Sequence, residues 1–314
     1  MKAGWQYLAG GTVLVIGLYT IFRRGFVTRG LDAILQFGPL FVAIPMAVFG
    51  AFHFLFPAEV AELVPKWIPG HLFWVYFVGV ALFAAAVSLA ANKVSTLAAA
   101  LLGLMIFSFV LLISVPAVKA HPDNRFFWAL ILRDMSFSFG AFAFAISRRR
   151  SAPAGVYGFL AAVLRVGFAG AMLFFAVEHF LHPQFVPVLP LRQALPAWFP
   201  LHSLVNYVVG GALFITGACL LLNVRARAAA GWMGAAVLAV VILVYLPLLI
   251  AAPTDVGPVN YFFDTLTYAG SLLLIASLAA RREGRTNTES SPSRAGSVVA
   301  ELSTPRAASQ ETSE

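Results

Sequence analysis

Val64-Pro-Lys-Trp-Ile-Pro-Gly-His-Leu-Phe-Trp-Val-Tyr-Phe-Val-Gly-Val-Ala-Leu-Phe83 returns 131 residues later as Leu195-Pro-Ala-Trp-Phe-Pro-Leu-His-Ser-Leu-Val-Asn-Tyr-Val-Val-Gly-Gly-Ala-Leu-Phe214. Ten of the twenty aligned positions are identical, among them Pro65/Pro196, Trp67/Trp198, Pro69/Pro200, His71/His202 and Gly79/Gly210. Chance in so apolar a chain gives roughly two or three, so the match is an internal repeat. It extends both ways. Upstream, Phe52-His53-Phe54-Leu55-Phe56-Pro57 pairs with Glu178-His179-Phe180-Leu181-His182-Pro183 at an offset of 126. Downstream, Asn92/Asn223, Pro116/Pro247 and Pro122/Pro253 keep the offset of 131, and Asp134/Asp264 and Gly140/Gly270 follow at an offset of 130. The chain is a tandem duplication.

The repeated unit is a membrane unit. The 314 residues are 61% hydrophobic and only 11% charged, against roughly 45–50% and 25% in soluble domains. The apolar residues come in blocks long enough to cross a bilayer. Nine spans are predicted at about 5–22, 34–56, 72–91, 94–115, 126–146, 157–181, 204–222, 229–250 and 262–280. The expected fold class is an all-α polytopic membrane protein: an N-terminal helix followed by two tandem, parallel-repeat four-helix bundles. The segments are 1–33 (helix and basic linker), 34–150 (first repeat), 151–282 (second repeat) and 283–314 (a disordered cytoplasmic tail rich in Ser, Thr, Glu, Pro and Arg). Four spans per unit return the chain to its starting side. Both copies then share one orientation, related by a pseudo-twofold axis along the membrane normal. The inverted repeats of many transporters need an odd number, which weakens a transporter reading.

Charge orients the chain. Twelve Lys and Arg lie in the connections after the odd-numbered spans (Arg23, Arg24, Arg29, Lys93, Arg148, Arg149, Arg150, Arg225, Arg227, Arg281, Arg282, Arg285). Five lie on the other side (Lys2, Lys66, Lys119, Arg125, Arg192). Twelve against five puts the first group and the tail in the cytoplasm and the N-terminus outside. The net charge of +8 is therefore a topology signal, and nucleic acid is set aside as a partner. Trp5 to Phe22 has its arginines after the apolar run, unlike a signal peptide, and reads as a retained helix. The lone Cys219 permits no internal disulfide and argues against dithiol chemistry.

Arg165-x-Gly167, then Glu178-His179-Phe180-Leu181-His182-Pro183, then Leu195-Pro196-x-Trp198-x-Pro200 and an apolar run with Gly210, resembles the DoxX-like membrane proteins. The first copy carries His53-Phe54 and Val64-Pro65-x-Trp67-x-Pro69 in the same order. Arg165 departs from the symmetry, because Pro39 stands at its aligned position. The resemblance covers most of residues 34–280. It implies four-helix units of a bacterial inner membrane, associated with quinone-linked oxidation or with redox and thiol-stress complexes.

The candidate chemistry is sparse. Asp134 and Asp264 are repeat-related carboxylates inside spans, where an ionised group is costly and calls for a partner or a function. With Glu178 they form the candidate proton-handling set. Arg133 precedes Asp134, but adjacent helical residues point about 100° apart and need not pair. Glu178, beside His179, can raise a neighbouring imidazole's pKa or act as a simple interfacial acid. All six histidines fall near the expected outer side. His53, His179, His71 and His202, with Trp67 and Trp198, form the candidate outer-side binding pocket.

His53 and His179, if they face the pseudo-twofold axis, can ligate haem iron or a metal; the alternative is rings bonded to loop carbonyls. No metal ligand set is assigned, and quinone is the favoured small molecule. The segments 57–71 and 183–202 do not span; they are expected to be re-entrant or surface-lying anchors, or caps over a lateral lipid or quinone opening. The expected function is a membrane subunit of a quinone-linked redox system. The alternatives are a scaffold that recruits a partner and a small-solute transporter. The expected partners are the lipid bilayer and redox-complex subunits.

Overall fold

A computed structural model of the protein describes residues 4–149, 153–196, 199 and 201–290, with only the backbone of 154, 202 and 280–290. Among the described residues, nine helices are long and apolar enough to cross a bilayer and no strands form. The chain is an all-α polytopic membrane protein. The helices are α1 (Gly4–Arg23), α2 (Asp32–Leu55, with a turn at 36–37), α3 (His71–Ala91), α4 (Ser95–Ala120) and α5 (Arg125–Arg148). The second repeat supplies α6 (Ala154–Leu181), α7 (His202–Leu221), α8 (Ala226–Ala251) and α9 (Val256–Ser290). Helix α9 thus continues into the segment read as tail; residues 291–314 and Arg150 lie outside the described residues.

The duplication is visible in the backbone. Helix α3 starts after Gly70 (φ 71°) and α7 after Leu201 (φ 53°). Asn92 and Val94, between α3 and α4, have φ of 51° and 52°; Asn223 and Arg225, between α7 and α8, have 57° and 46°. The Asn-x-x turn is therefore built on left-handed residues in both copies, and Asn is among the non-glycine residues that tolerate them best. Residues Val110–Ser114 of α4 and Val241–Tyr245 of α8 each form a π-helical turn. Pro116 and Pro247 follow at the same spacing. A proline lacks its N–H and its ring crowds the carbonyl four residues back, which a widened turn relieves.

The eight repeat helices close into a ring. Helix α2 packs on α3 and α9, while α6 packs on α7 and α5; α4 pairs with α5 and α8 with α9. The last helix of each repeat therefore lies against the first helix of the other. Helices α5 and α9 cross at the centre. Small residues permit close packing of α9 on both neighbours: a Cβ on Gly140 of α5 would stand 2.4 Å from the Ser271 Cβ, and one on Gly270 would stand 3.0 Å from the Gly38 carbonyl of α2. Close backbone approach of this kind is how membrane helices associate. Helix α9 is 83% buried over its span, whereas α1, packed outside α2 and α3, is 22% buried and faces lipid.

The two connections at the end opposite the arginine clusters have diverged. The first, 57–71, contains a short helix, Pro57–Ala61, and leaves Trp67 70% exposed. The second is five residues longer, which is why the repeat offset steps from 126 to 131. Those residues make a hairpin: Val186 N–H donates to the Gln193 carbonyl (2.8 Å) and Leu195 N–H to the Gln184 carbonyl (3.0 Å). Val186, Val188 and Leu189 at its tip are fully buried, so of the two anchor readings this segment takes the re-entrant one: it folds into the protein as a plug and does not lie along the surface.

Candidate functional site

Arg133, on α5, joins the two repeat-related carboxylates. Its Nε and Nη2 donate to Asp134 Oδ1 at 2.9 and 2.7 Å, and its Nη1 donates to Asp264 Oδ2 at 2.7 Å. Helix geometry alone leaves the adjacent Arg133 and Asp134 free to pair or not, and they do pair. The long guanidinium stem curls back far enough to overcome the 100° divergence. It does so because Asp264 of α9 arrives beside the same guanidinium where α5 and α9 cross. Arg133 also lies 5.8 Å from the Phe137 ring centroid, within cation–π range.

The cluster sits well inside the apolar spans of both helices. Asp134 is nine residues from the start of α5, and Asp264 is eight from the start of α9. At 1.5 Å per residue that is roughly 12–14 Å of depth. One cation between two carboxylates leaves one uncompensated negative charge. The side chains of Arg133, Asp134 and Asp264 keep 18, 17 and 8% exposure, so the cluster is not sealed. A guanidinium has five N–H groups and three are used here, so two remain. Asp264 Oδ1 takes no hydrogen bond among the described residues, and Asp134 Oδ2 has only a long contact of 3.4 Å from Ser114 Oγ. The site thus presents N–H donors beside a carboxylate acceptor. That edge is suited to a carbonyl or hydroxyl group that exchanges a proton.

Glu178 belongs elsewhere. Arg125 Nη1 meets Glu178 Oε2 at 2.5 Å, and the same guanidinium donates to the carbonyls of Pro190 (2.8 Å) and Leu191 (2.6 Å). It also lies 4.3 Å from the Phe185 ring centroid. Glu178 is therefore the counter-ion of Arg125 and part of the hairpin's anchorage. Of the two readings of Glu178, coupling to His179 or a simple interfacial acid, neither foresaw Arg125, 53 residues away in sequence, which claims the carboxylate.

His179 holds the same hairpin. Its Nδ1 lies 2.6 Å from the Phe175 carbonyl, and its Nε2 accepts the Val188 N–H at 2.8 Å. Those partners require the neutral ring with its proton on Nδ1. Both nitrogens are engaged, which leaves no lone pair for iron or another metal. His53 keeps the Nδ1 contact, to the Phe49 carbonyl at 2.7 Å, but no peptide N–H meets its Nε2 among the described residues. The Cβ atoms of His53 and His179 press on Gly79 and Gly210 of the neighbouring helices, away from the α5–α9 crossing.

His71 is half-buried at the start of α3, while Trp198 and the His202 side chain lie outside the described residues. Among the described residues no group of three or more His, Cys, Asp or Glu side chains is placed to hold a metal ion.

Tyr245 and Tyr261 connect plug and cluster. Tyr245 donates to the Pro187 carbonyl at 2.5 Å, and the Tyr261 hydroxyl accepts the N–H groups of Arg192 and Gln193, both at 2.8 Å. The two rings stack at 6.4 Å, and Tyr261 is three residues in sequence from Asp264. In the sequence neither tyrosine stands out, Arg125 reads only as a charge on the outer side, and the segment 183–202 reads as non-spanning without its hairpin. The change of repeat offset was the one available signal for the plug.

No protein-family model, curated protein or solved structure matches the chain.

Proposed function

We propose that the protein is a bacterial inner-membrane subunit of DoxX-like type that binds a quinone and exchanges a proton with it at the Arg133–Asp134–Asp264 cluster. The observation that carries this reading is the single guanidinium shared by one carboxylate from each repeat, with unsatisfied N–H donors beside a free carboxylate oxygen. Quinones enter from the bilayer, and the cluster lies at bilayer depth without being sealed. In this reading Arg133 donates to the carbonyl oxygen. In the quinol-oxidising direction, one hydroxyl proton passes to Asp264 Oδ1. The two electrons leave to an oxidoreductase partner subunit, and the second proton leaves to water. With the arginine-rich end in the cytoplasm, the cluster lies in the outer half of the membrane.

The test is quinone and quinol binding to the full chain in lipid nanodiscs, read by quenching of intrinsic tryptophan fluorescence. Asp264→Asn keeps the shape and removes the charge. A hydrogen bond to a charged acceptor contributes about 1.5–3 kcal/mol, so quinol affinity should fall by roughly tenfold or more while quinone affinity holds. Equal affinities in both forms refute the assignment. Flux of a small solute that depends on Asp134 or Asp264 would instead identify a transporter.

A further inference from the structure

In the second repeat one peptide group is held between two helices. The Pro187 carbonyl accepts from the Tyr245 hydroxyl of α8 at 2.5 Å, and the Val188 N–H donates to His179 Nε2 of α6 at 2.8 Å. The plug thereby fills the space enclosed by α5, α6, α7, α8 and α9, and His179 and Tyr245 are fully buried.

The first repeat keeps the histidine and lacks the filling. His53 holds the same ring position: its Nδ1 meets the carbonyl four residues back, and its Cβ presses on Gly79 as that of His179 presses on Gly210. With the proton on Nδ1, Nε2 is an acceptor that faces the space enclosed by α2, α3, α4, α5 and α9. No residue of the connection 57–71 is buried, so that connection stays outside this space. Ser114 stands where Tyr245 stands, at the end of the same π-helical turn, and is shorter by a phenol ring. Its hydroxyl lies 3.4 Å from Asp134 Oδ2, and Asp134 keeps about twice the exposure of its repeat partner Asp264. His53 and Phe49 are half-buried where His179 and Phe175 are fully buried. The cluster is thus open on the first-repeat side.

We infer that this first-repeat space is the quinone chamber, with the inner ring oxygen at Arg133 and the outer one at His53 Nε2. The inference rests on the quinone reading for the identity of the ring. Relative to the second repeat, the first lacks a phenol-sized group and a hydrogen-bond donor to the histidine, and a hydroquinone supplies both. The heights agree. His53 is two residues from the outer end of α2 and Asp134 nine from that of α5, a difference of roughly 10 Å. A ring with oxygens on opposite edges, and a hydrogen bond of about 2.8 Å at each end, bridges that height. Quinone has no donor for Nε2, so His53 engages only the reduced form.

The test uses the full chain in lipid nanodiscs, with decylubiquinone and its quinol as probes and quenching of tryptophan fluorescence as the readout. Ser114→Tyr restores the second repeat's phenol and should lower the affinity of both forms by about tenfold or more. His53→Phe keeps a ring and removes the acceptor; quinol affinity should fall about fivefold and quinone affinity should hold. Thermal unfolding in detergent establishes that each variant is folded. Wild-type binding that neither substitution alters leaves the quinone reading standing and overturns the chamber. Absence of binding to the wild type defeats both. A synthetic peptide copying residues 184–195 that binds the wild type and is lost in both variants, with quinol binding unaltered, assigns the space to a partner's apolar segment and overturns the chamber.

Discussion

Replacing Arg133 by Met leaves Asp134 and Asp264 at the α5–α9 crossing with no counter-charge. Both carboxylates now sit 2.7 Å from a guanidinium nitrogen, and no other cation meets them among the described residues. Breaking a buried pair by removing one partner costs about 3–5 kcal/mol, because the remaining charge is stranded. Here two charges are stranded, but the Arg133 and Asp134 side chains are 18 and 17% exposed, which softens the penalty towards the lower figure, about 3 kcal/mol. At the roughly 2 °C per kcal/mol of a large domain, the unfolding midpoint should drop by about 6 °C. The assay is thermal unfolding in detergent. The same substitution combined with Asp134→Asn and Asp264→Asn removes all three charges at similar volume and should recover most of the loss. A midpoint for Arg133→Met within about 1 °C of the wild type refutes the shared-guanidinium account. So does a triple variant no more stable than the single one.

Gly140→Ala should cost about 1–3 kcal/mol, since the new methyl would stand 2.4 Å from the Ser271 Cβ and 2.7 Å from its Cα. An unchanged melting curve would contradict the close crossing of α5 and α9. His179→Phe fills the ring's volume but orphans the Val188 N–H, at about 1–3 kcal/mol. Hydrogen exchange over 184–195 should accelerate, while exchange over 57–64 in the first repeat should not. Equal exchange over 184–195 in the wild type and His179→Phe would sink the plug's dependence on that histidine.

The repeat, the span count and the topology class were legible because they rest on periodic apolar blocks and on residues whose backbone role survives duplication. Asn92 and Asn223 are placed alike, as are the π-helical turns ahead of Pro116 and Pro247. The Asp134/Asp264 pair was legible as a cost that needed a partner. Its partner was not, because pairing between Arg133 and Asp264, 131 residues apart, depends on where two helices cross. The same is true of Arg125 and Glu178. The histidines drew attention as chemically versatile side chains, yet His179 serves the backbone of an insertion that only the second repeat has.

The central claim is that Asp264, sharing Arg133 with Asp134, exchanges a proton with a bound quinone. Infrared difference spectroscopy of the protein in nanodiscs, with the quinone reduced and reoxidised in place, reads this directly through the carbonyl stretch of a protonated carboxyl group. The expected result is a redox-dependent carboxyl band that shifts in deuterium oxide, disappears in Asp264→Asn and persists in Glu178→Gln. A wild-type spectrum without such a band, or one whose band survives Asp264→Asn, would contradict it.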